Sequence, residues 1–196
     1  MKRSIIVLLV CLAIGMPLIA GAATYQLDTD HSSIQFKVRH LTVSNVTGTF
    51  NKMKGSASVE GEDLATLKVE VIIDAASVDT GHQKRDEHIR TADFLDVAKY
   101  PTITFVSKKV VKADPGKLRI TGDLTLHGVT REITVDLEGP TPEIKDPWGN
   151  FRRGATGTAK IDRRDFGITW NKALDTGGLV VGNEVGIQVD IEWVRK

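Results

Sequence analysis

The chain has 196 residues, a length that favours a single domain. With 41% hydrophobic and 26% charged residues, it can bury a sizeable core as a globular protein. Its formal net charge of +1 excludes the strong field of one sign that marks nucleic-acid or anionic-lipid partners.

Residues 1–22 are typical of a cleavable export signal. Two basic residues precede an apolar stretch that Pro17 interrupts, and the small residues that end at Ala22 resemble a signal-peptidase site. The apolar stretch is short for a membrane-spanning helix, although an uncleaved anchor is the alternative. We expect cleavage near Ala22 and export to the periplasm, with residues 23–196 as one mature domain.

The chain has one cysteine, Cys11, within the apolar part of the signal. Large apolar residues precede it, whereas a lipoprotein cysteine follows small ones, so we do not expect lipidation. The mature domain would then have neither a disulfide nor a thiol nucleophile. Its core must therefore hold the fold unaided in an exported protein.

From Tyr25 onward, apolar and polar residues alternate with a period of two, as in strands with one buried face and one wet face. Such strands belong to antiparallel sheets, because strands of buried parallel sheets are continuously apolar. Turn signals rich in glycine, proline and aspartate separate the runs. The clearest runs cover residues 33–40, 67–74, 102–105, 117–121, 124–126, 132–137 and 184–193.

The segment near residues 82–97 breaks this alternation. Its first part is highly charged and predicts a short helix, and Phe94 and Leu95 provide apolar contacts after it. Its charged residues Arg85, Asp86, His88 and Arg90 fit either a solvated helix face or the rim of a barrel mouth. In the second interpretation Phe94 and Leu95 face the lumen.

About eight antiparallel strands with one short helix predict an all-β protein. An open sheet of that size would expose its edges and its apolar face, so we predict a closed antiparallel barrel with a helical insertion. The many charges on the polar faces argue against a membrane-embedded barrel. The apolar inner face either fills its own core or encloses an apolar, elongated ligand.

No residue pattern predicts catalysis or a metal site. The histidines lack the close spacing of zinc ligands, and no serine lies in a nucleophile-elbow motif. Asp28, Asp30 and His31 could suggest acid–base chemistry, but a turn capped by aspartates is the simpler interpretation. We therefore assign no catalytic residue, no metal ligand and no cofactor.

Several short motifs stand in order along the chain. They begin with Asp30-His31-Ser32 and the alternating residues 34–40. The central ones are the charged residues 85–90 and the Tyr100-Pro101 segment with Phe105. The last are residues 121–130, which include His127, and residues 162–167. Each motif is modest alone, but the ordered set spans the whole mature chain and resembles the YceI-like family.

This resemblance implies a lipocalin-like barrel, often periplasmic, that binds a long isoprenoid chain such as a polyprenyl lipid or a quinone tail. Alternation and motif position together suggest the lumen-facing residues. They are Phe36, Val38, Phe50, Phe94, Leu95, Phe105, Phe166 and Trp170.

The resulting hypothesis is a binding or carrier protein for an apolar lipid, held with its head group near the barrel mouth. Two alternatives stay open: an enzyme that acts on such a lipid through His88, Asp86 or His127, and a stress-related structural module with a filled core. We expect no nucleic-acid partner, and we do not expect the chain to be an integral membrane protein. A homodimer, and a membrane that donates or accepts the lipid, stay open as partners.

Overall fold

A computed structural model describes residues 21–175 and 177–196. Residues 1–20 of the predicted export signal lie outside the described residues. The strands are β1 (Ala22–Leu27), β2 (Ser33–His40), β3 (Ser44–Phe50), β4 (Met53–Glu60), β5 (Asp63–Asp74), β6 (Val78–Asp79), β7 (Thr102–Lys112), β8 (Lys117–Leu126), β9 (Val129–Glu138), β10 (Ile144–Lys145), β11 (Phe151–Asp162) and β12 (Val181–Arg195). The helix α1 (Gln83–Ile89) lies between β6 and β7.

The sheet closes into the predicted antiparallel barrel. Eight strands form the ring, in the order β11-β9-β8-β7-β5-β4-β1-β12, and the pairing of β12 with β11 completes it. All neighbouring strands of the ring run antiparallel to each other, and eleven consecutive residue pairs join β11 to β12. Closure removes the free edges that an open sheet would expose, and it turns one face of every strand inward.

Two pairs of strands continue one another along the barrel wall. β1 and β2 follow one another along β12, and both pair with it. On their other side, β4 pairs with β1 and β3 pairs with β2. At the break before β2, the hydroxyl of Ser32 accepts the amide proton of Glu192 at 2.9 Å, so a side chain replaces the missing backbone partner. Asp28 caps this turn by accepting the amide of Asp30 at 3.0 Å, as predicted.

The two ends of the barrel differ. The end that carries α1, residues 80–101 and residues 163–180 is called the helix end. The opposite end, which carries the loop of residues 139–150, is called the loop end. The longest strand, β12, has 15 residues and runs between the two ends. At a rise of about 3.3 Å per residue it extends for about 50 Å along its own path.

Inward side chains of all the long strands form the core. One cluster of buried residues surrounds the helix end and includes Ile34, Ile103 and Phe166. Two smaller clusters lie toward the loop end, one around Tyr25 and Trp193 and one around Leu118. Among the described residues, no helix combines the length and the apolar character needed to cross a bilayer.

Candidate functional site

The barrel encloses a cavity of about 450 Å³. This volume is in the range of small-molecule sites. Side chains from both ends line the same cavity: Val59, Leu64 and Leu67 at the loop end, and Phe50, Phe94 and Trp170 at the helix end. The lining is overwhelmingly aliphatic and aromatic, and it is continuous along the barrel. The interior residues therefore do not fill the barrel themselves.

The structure brings most of the predicted lumen residues together. Seven of the eight line the cavity: Phe36, Val38, Phe50, Phe94, Leu95, Phe105 and Trp170. The rings of Phe36 and Phe50 lie 5.7 Å apart on neighbouring strands. Phe36, Val38, Phe50 and Phe105 lie on strands, where period two fixes which side a residue faces. Phe94, Leu95 and Trp170 lie outside the strands, so only their motif position pointed to them.

Phe166, the eighth predicted residue, does not lie on the cavity wall. It is only 1% exposed, in the 3₁₀ turn Arg163–Phe166, and it packs within the core cluster of the helix end. It is not among the described residues that line the cavity. Strand alternation does not apply in this turn, which explains the error.

An aromatic cluster covers the cavity at the helix end. The imidazole of His88 meets the rings of Phe94 and Trp170 edge-on, with centroids 5.1 and 5.0 Å away. Phe94 and Trp170 themselves lie 5.2 Å apart. Asp93 fixes the imidazole through a contact of 2.7 Å to Nε2. All three rings line the cavity, so this cluster forms part of its end wall.

Charged residues in α1 and directly after it fasten this end wall to the barrel. Arg90 donates from Nε to the carbonyl of Ala76 at 2.8 Å and from Nη2 to that of Val78 at 2.6 Å. The buried carboxylate of Asp86 accepts from both the amide and the hydroxyl of Thr80. These bonds favour the rim interpretation of the charged segment over a solvated helix face.

A second anchor, which sequence reasoning missed, is Arg163. It is 4% exposed and donates to the carbonyls of Ile168 at 2.7 Å and Gly182 at 2.9 Å. These bonds hold the segment between β11 and β12 against the barrel. Burial lowers the pKa of Arg163. The sequence did contain one signal for Arg163, which is its position in the YceI-like motif of residues 162–167.

The loop end of the cavity carries polar groups that sequence reasoning also missed. Tyr25 donates its hydroxyl proton to Glu143 at 2.8 Å, and burial raises the pKa of Tyr25. Arg153 points inward beside them, with a side chain only 14% exposed, and Pro140 covers this end of the cavity. Arg153 shares the inward phase of Ala155 and Ile161 on β11, so alternation could have found it.

The one group of described residues with metal-ligand geometry is Asp28, His31 and Glu192, outside the barrel. The guanidinium of Arg152 occupies this group, because its Nη1 donates to Asp28 and to Glu192, each at 2.5 Å. A cation would meet that positive charge directly, so the arrangement favours an ion-pair network over a metal site.

The same network shifts the titration of its carboxylates. Burial raises the pKa of Asp28, but hydrogen bonds from Arg152 and His31 outweigh it and lower the pKa to about 2. Asp146 behaves similarly: burial raises its pKa, but bonds from Arg152 and Asn150 hold it well below its usual value. The hydrogen bond to Asp28 in turn raises the pKa of His31.

The residues considered for acid–base catalysis do not share a site. His88 lines the cavity, but Asp86 and His127 are not among its described lining residues. His127 bonds the carbonyl of Phe166 at 3.1 Å and packs against the ring of Tyr100. Asp86 serves Thr80. Each of these two residues thus has a structural partner outside the cavity.

Comparisons with known proteins agree with this architecture. The family model described as YceI-like domain matches residues 25–193. A UPF0312 protein of Vibrio parahaemolyticus is 42% identical over the whole of both chains. A UPF0312 protein of Vibrio vulnificus is 44% identical over 86% of this chain and 89% of its own.

Three solved structures share the fold. The YCEI protein of Campylobacter jejuni is 32% identical, with a TM-score of 0.66 over 81% of this chain and 90% of its own. BcnA of Burkholderia cenocepacia has a TM-score of 0.71 at 24% identity and covers 85% of this chain and 98% of its own. A polyisoprenoid binding domain from Saccharophagus degradans has a TM-score of 0.63 at 18% identity and covers 88% and 98%. The last two likenesses concern the fold alone.

Proposed function

We propose that this chain, which belongs to the YceI-like domain family, binds a long apolar lipid in its barrel and carries or stores it in the periplasm. The lipid that the family resemblance suggests is a polyisoprenoid or the tail of an isoprenoid quinone. The observation that carries the proposal is the apolar cavity of about 450 Å³ that runs through the barrel.

The lining sets the chemistry of the ligand. A sugar or an amino acid would need many buried hydrogen-bond partners, and this wall offers almost none along most of its length. An apolar chain needs only burial, and each buried methylene contributes about 0.8 kcal/mol. Ten such groups would supply about 8 kcal/mol, against an association cost of about 4 kcal/mol or more.

Binding rather than catalysis is supported by the site itself. The acid–base candidates do not converge on the cavity, and the cavity wall is mostly aliphatic and aromatic. The Saccharophagus degradans domain is described as polyisoprenoid binding, which agrees with the proposal at the level of a shared fold. Periplasmic location rests on the export signal expected at residues 1–22.

The test is to extract the purified protein with organic solvent and identify lipids by mass spectrometry. Ala159 and Lys160 offer a matched pair of variants on β11, because Ala159 lines the cavity and Lys160 points outward to Glu184. We expect Ala159→Phe to fill the lumen and abolish lipid recovery, and Lys160→Phe to retain it. Absence of lipid from the wild-type protein, even after incubation with a polyprenol, would contradict the proposal.

A further inference from the structure

At the loop end of the cavity, the guanidinium of Arg153 makes no hydrogen bond to the described residues. Arg153 lines the cavity with a side chain 14% exposed. Its Nε lies 4.0 Å from the carboxylate of Glu143, and its Nη2 lies 3.6 Å from that of Glu62. Both distances exceed hydrogen-bonding range, so the guanidinium donates to no described residue.

Such a group is unusual in a folded protein. The Nε of Arg153 is the one buried side-chain nitrogen or oxygen, among the described residues, that has no hydrogen-bond partner. A guanidinium carries five N–H donors, and leaving buried donors unpaired is costly. An unpaired donor of this kind therefore points to an acceptor that comes from outside the chain.

The surroundings define where that acceptor would sit. Arg153 stands over the ring of Tyr25, with its Cζ 5.9 Å from the ring centroid. Trp193 and Pro140 line the same end of the cavity, and the wall between here and the helix end is apolar. The side chain of Arg153 is thus a polar end point of a long apolar tunnel.

Neither of the two nearby carboxylates accepts a hydrogen bond from Arg153. Glu143 accepts from Tyr25 at 2.8 Å and pairs with Arg195 at 3.2 Å, while the side chain of Glu62 is 90% exposed. They offset part of the charge of Arg153 without using its donors. The site therefore suits an oxygen acceptor, either a carboxylate or phosphate oxygen or a carbonyl.

We propose that Arg153 binds the polar head group of the lipid through an oxygen acceptor, with the head at the loop end and the tail extending toward the aromatic cluster at the helix end. This inference rests on the proposed lipid binding. It reverses the orientation expected if the head group lay at a mouth beside the helical segment.

The orientation can be read from two tryptophans at opposite ends of the cavity. Trp193 packs with Tyr25 at the loop end, and Trp170 packs with Phe94 at the helix end. The probes are two palmitic acids, one brominated beside the carboxyl group and the other at the chain end. Trp148→Phe, combined with either Trp170→Phe or Trp193→Phe, leaves one lumen tryptophan in each protein.

We expect bromine beside the carboxyl group to quench the fluorescence of Trp193, and bromine at the chain end to quench the fluorescence of Trp170. The opposite pattern, or equal quenching of both tryptophans by both probes, would overturn the orientation while leaving lipid binding intact. No binding of either probe, measured by calorimetry together with a polyprenol, would count against the proposed function as well.

The role of Arg153 itself is tested with Arg153→Met, which keeps the length of the side chain and removes its donors. Arg119→Met is the matched control, because Arg119 is exposed and pairs with Asp136 on the outer wall. We expect Arg153→Met to weaken palmitate binding about tenfold, as expected for one charge-assisted hydrogen bond, and to leave hexadecane binding unchanged. Equal palmitate affinity in Arg153→Met and wild type would mean that only water meets the guanidinium, and would overturn the inference.

Discussion

Arg152 joins three acidic residues on the outer wall of the barrel. It bonds Asp28, Asp146 and Glu192, and its side chain is 17% exposed. These residues come from the turn before β2, the loop of residues 139–150 and β12. One guanidinium therefore ties together segments that are far apart in sequence, and it prevents mutual repulsion among the carboxylates.

This network makes stability depend on pH. The folded-state pKa of Asp28 is about 2, below its ordinary value of 3.8, so its stabilising contribution is full above pH 3.8 and is lost as the pH falls toward 2. Asp146 contributes with the same sign. We expect urea denaturation between pH 2 and pH 6 to show the free energy of unfolding fall across this window.

Arg152→Gln should destabilise the protein at pH 7, because it leaves three carboxylates close together without their common partner. Its free energy of unfolding should also depend less on pH between 4 and 2, since the pKa values of the carboxylates are no longer lowered. Lys160→Gln, which removes an exposed charge, is the control. A variant with the same slope as the wild type would show that Arg152 does not set these pKa values.

Residue-level prediction from sequence succeeded where backbone geometry is regular. Phe36 and Phe105 lie on strands, so period two placed them on the cavity wall. Phe166 lies in a 3₁₀ turn, where that period has no meaning. The inward phase of Arg153 follows from alternation on β11, but only the three-dimensional structure shows that its Nε donor is unpaired.

At the scale of elements, the segment of residues 80–101 is the part of the wall least integrated into the sheet. α1 has seven residues, too few for a stable isolated helix, so its order depends on contacts with the barrel. Arg90 supplies two of these contacts by binding the carbonyls of Ala76 and Val78. We infer that this segment controls access to the helix end of the cavity.

Arg90→Ala should therefore loosen the segment without unfolding the barrel. We expect amide exchange in residues 80–101 to accelerate about tenfold, the effect of about 1.4 kcal/mol from lost hydrogen bonds to backbone carbonyls. Bound lipid should also dissociate faster. Hydrogen-exchange mass spectrometry and lipid-transfer kinetics measure the two effects.

Lys84→Ala is the matched control, because it removes an exposed charge from the same segment of residues 80–101. Faster exchange throughout the strands would show that Arg90 stabilises the whole fold. Faster exchange confined to the segment, with an unchanged lipid dissociation rate, would show that the segment does not control access.

Sequence alternation predicted runs within β2, β5, β7, β8, β9 and β12, but it gave no run for β1, β3, β4 or β11. The breaks between β1 and β2 and between β3 and β4 depend on tertiary partners such as Ser32, which bonds the backbone of Glu192. Side-chain bonds between residues 160 positions apart leave no local pattern in the chain. The helical insertion was predictable because charge and the loss of alternation are local signals.

For the whole molecule, closure has a cost that the ligand can offset. Side chains that face a cavity lack packing partners on one side, so they lose dispersion contacts that a filled core would provide. The long strands still pair around the complete ring, which holds the cavity open. A lipid in the lumen would supply the missing contacts, and folding and binding should therefore be coupled.

We accordingly expect removal of bound lipid to lower the melting temperature and its return to raise it. A ligand present at about 100 times its Kd stabilises the native state by about 2.7 kcal/mol, which corresponds to about 5 to 11 °C for a domain of this size. Differential scanning calorimetry of solvent-extracted and refilled protein measures this shift. Lys160→Phe should show the same shift as the wild type, whereas Ala159→Phe should melt at one temperature with or without lipid because its lumen is already occupied. An equal lipid-dependent shift in both variants would place the lipid outside the barrel, since only a ligand in the lumen competes with the phenylalanine at position 159.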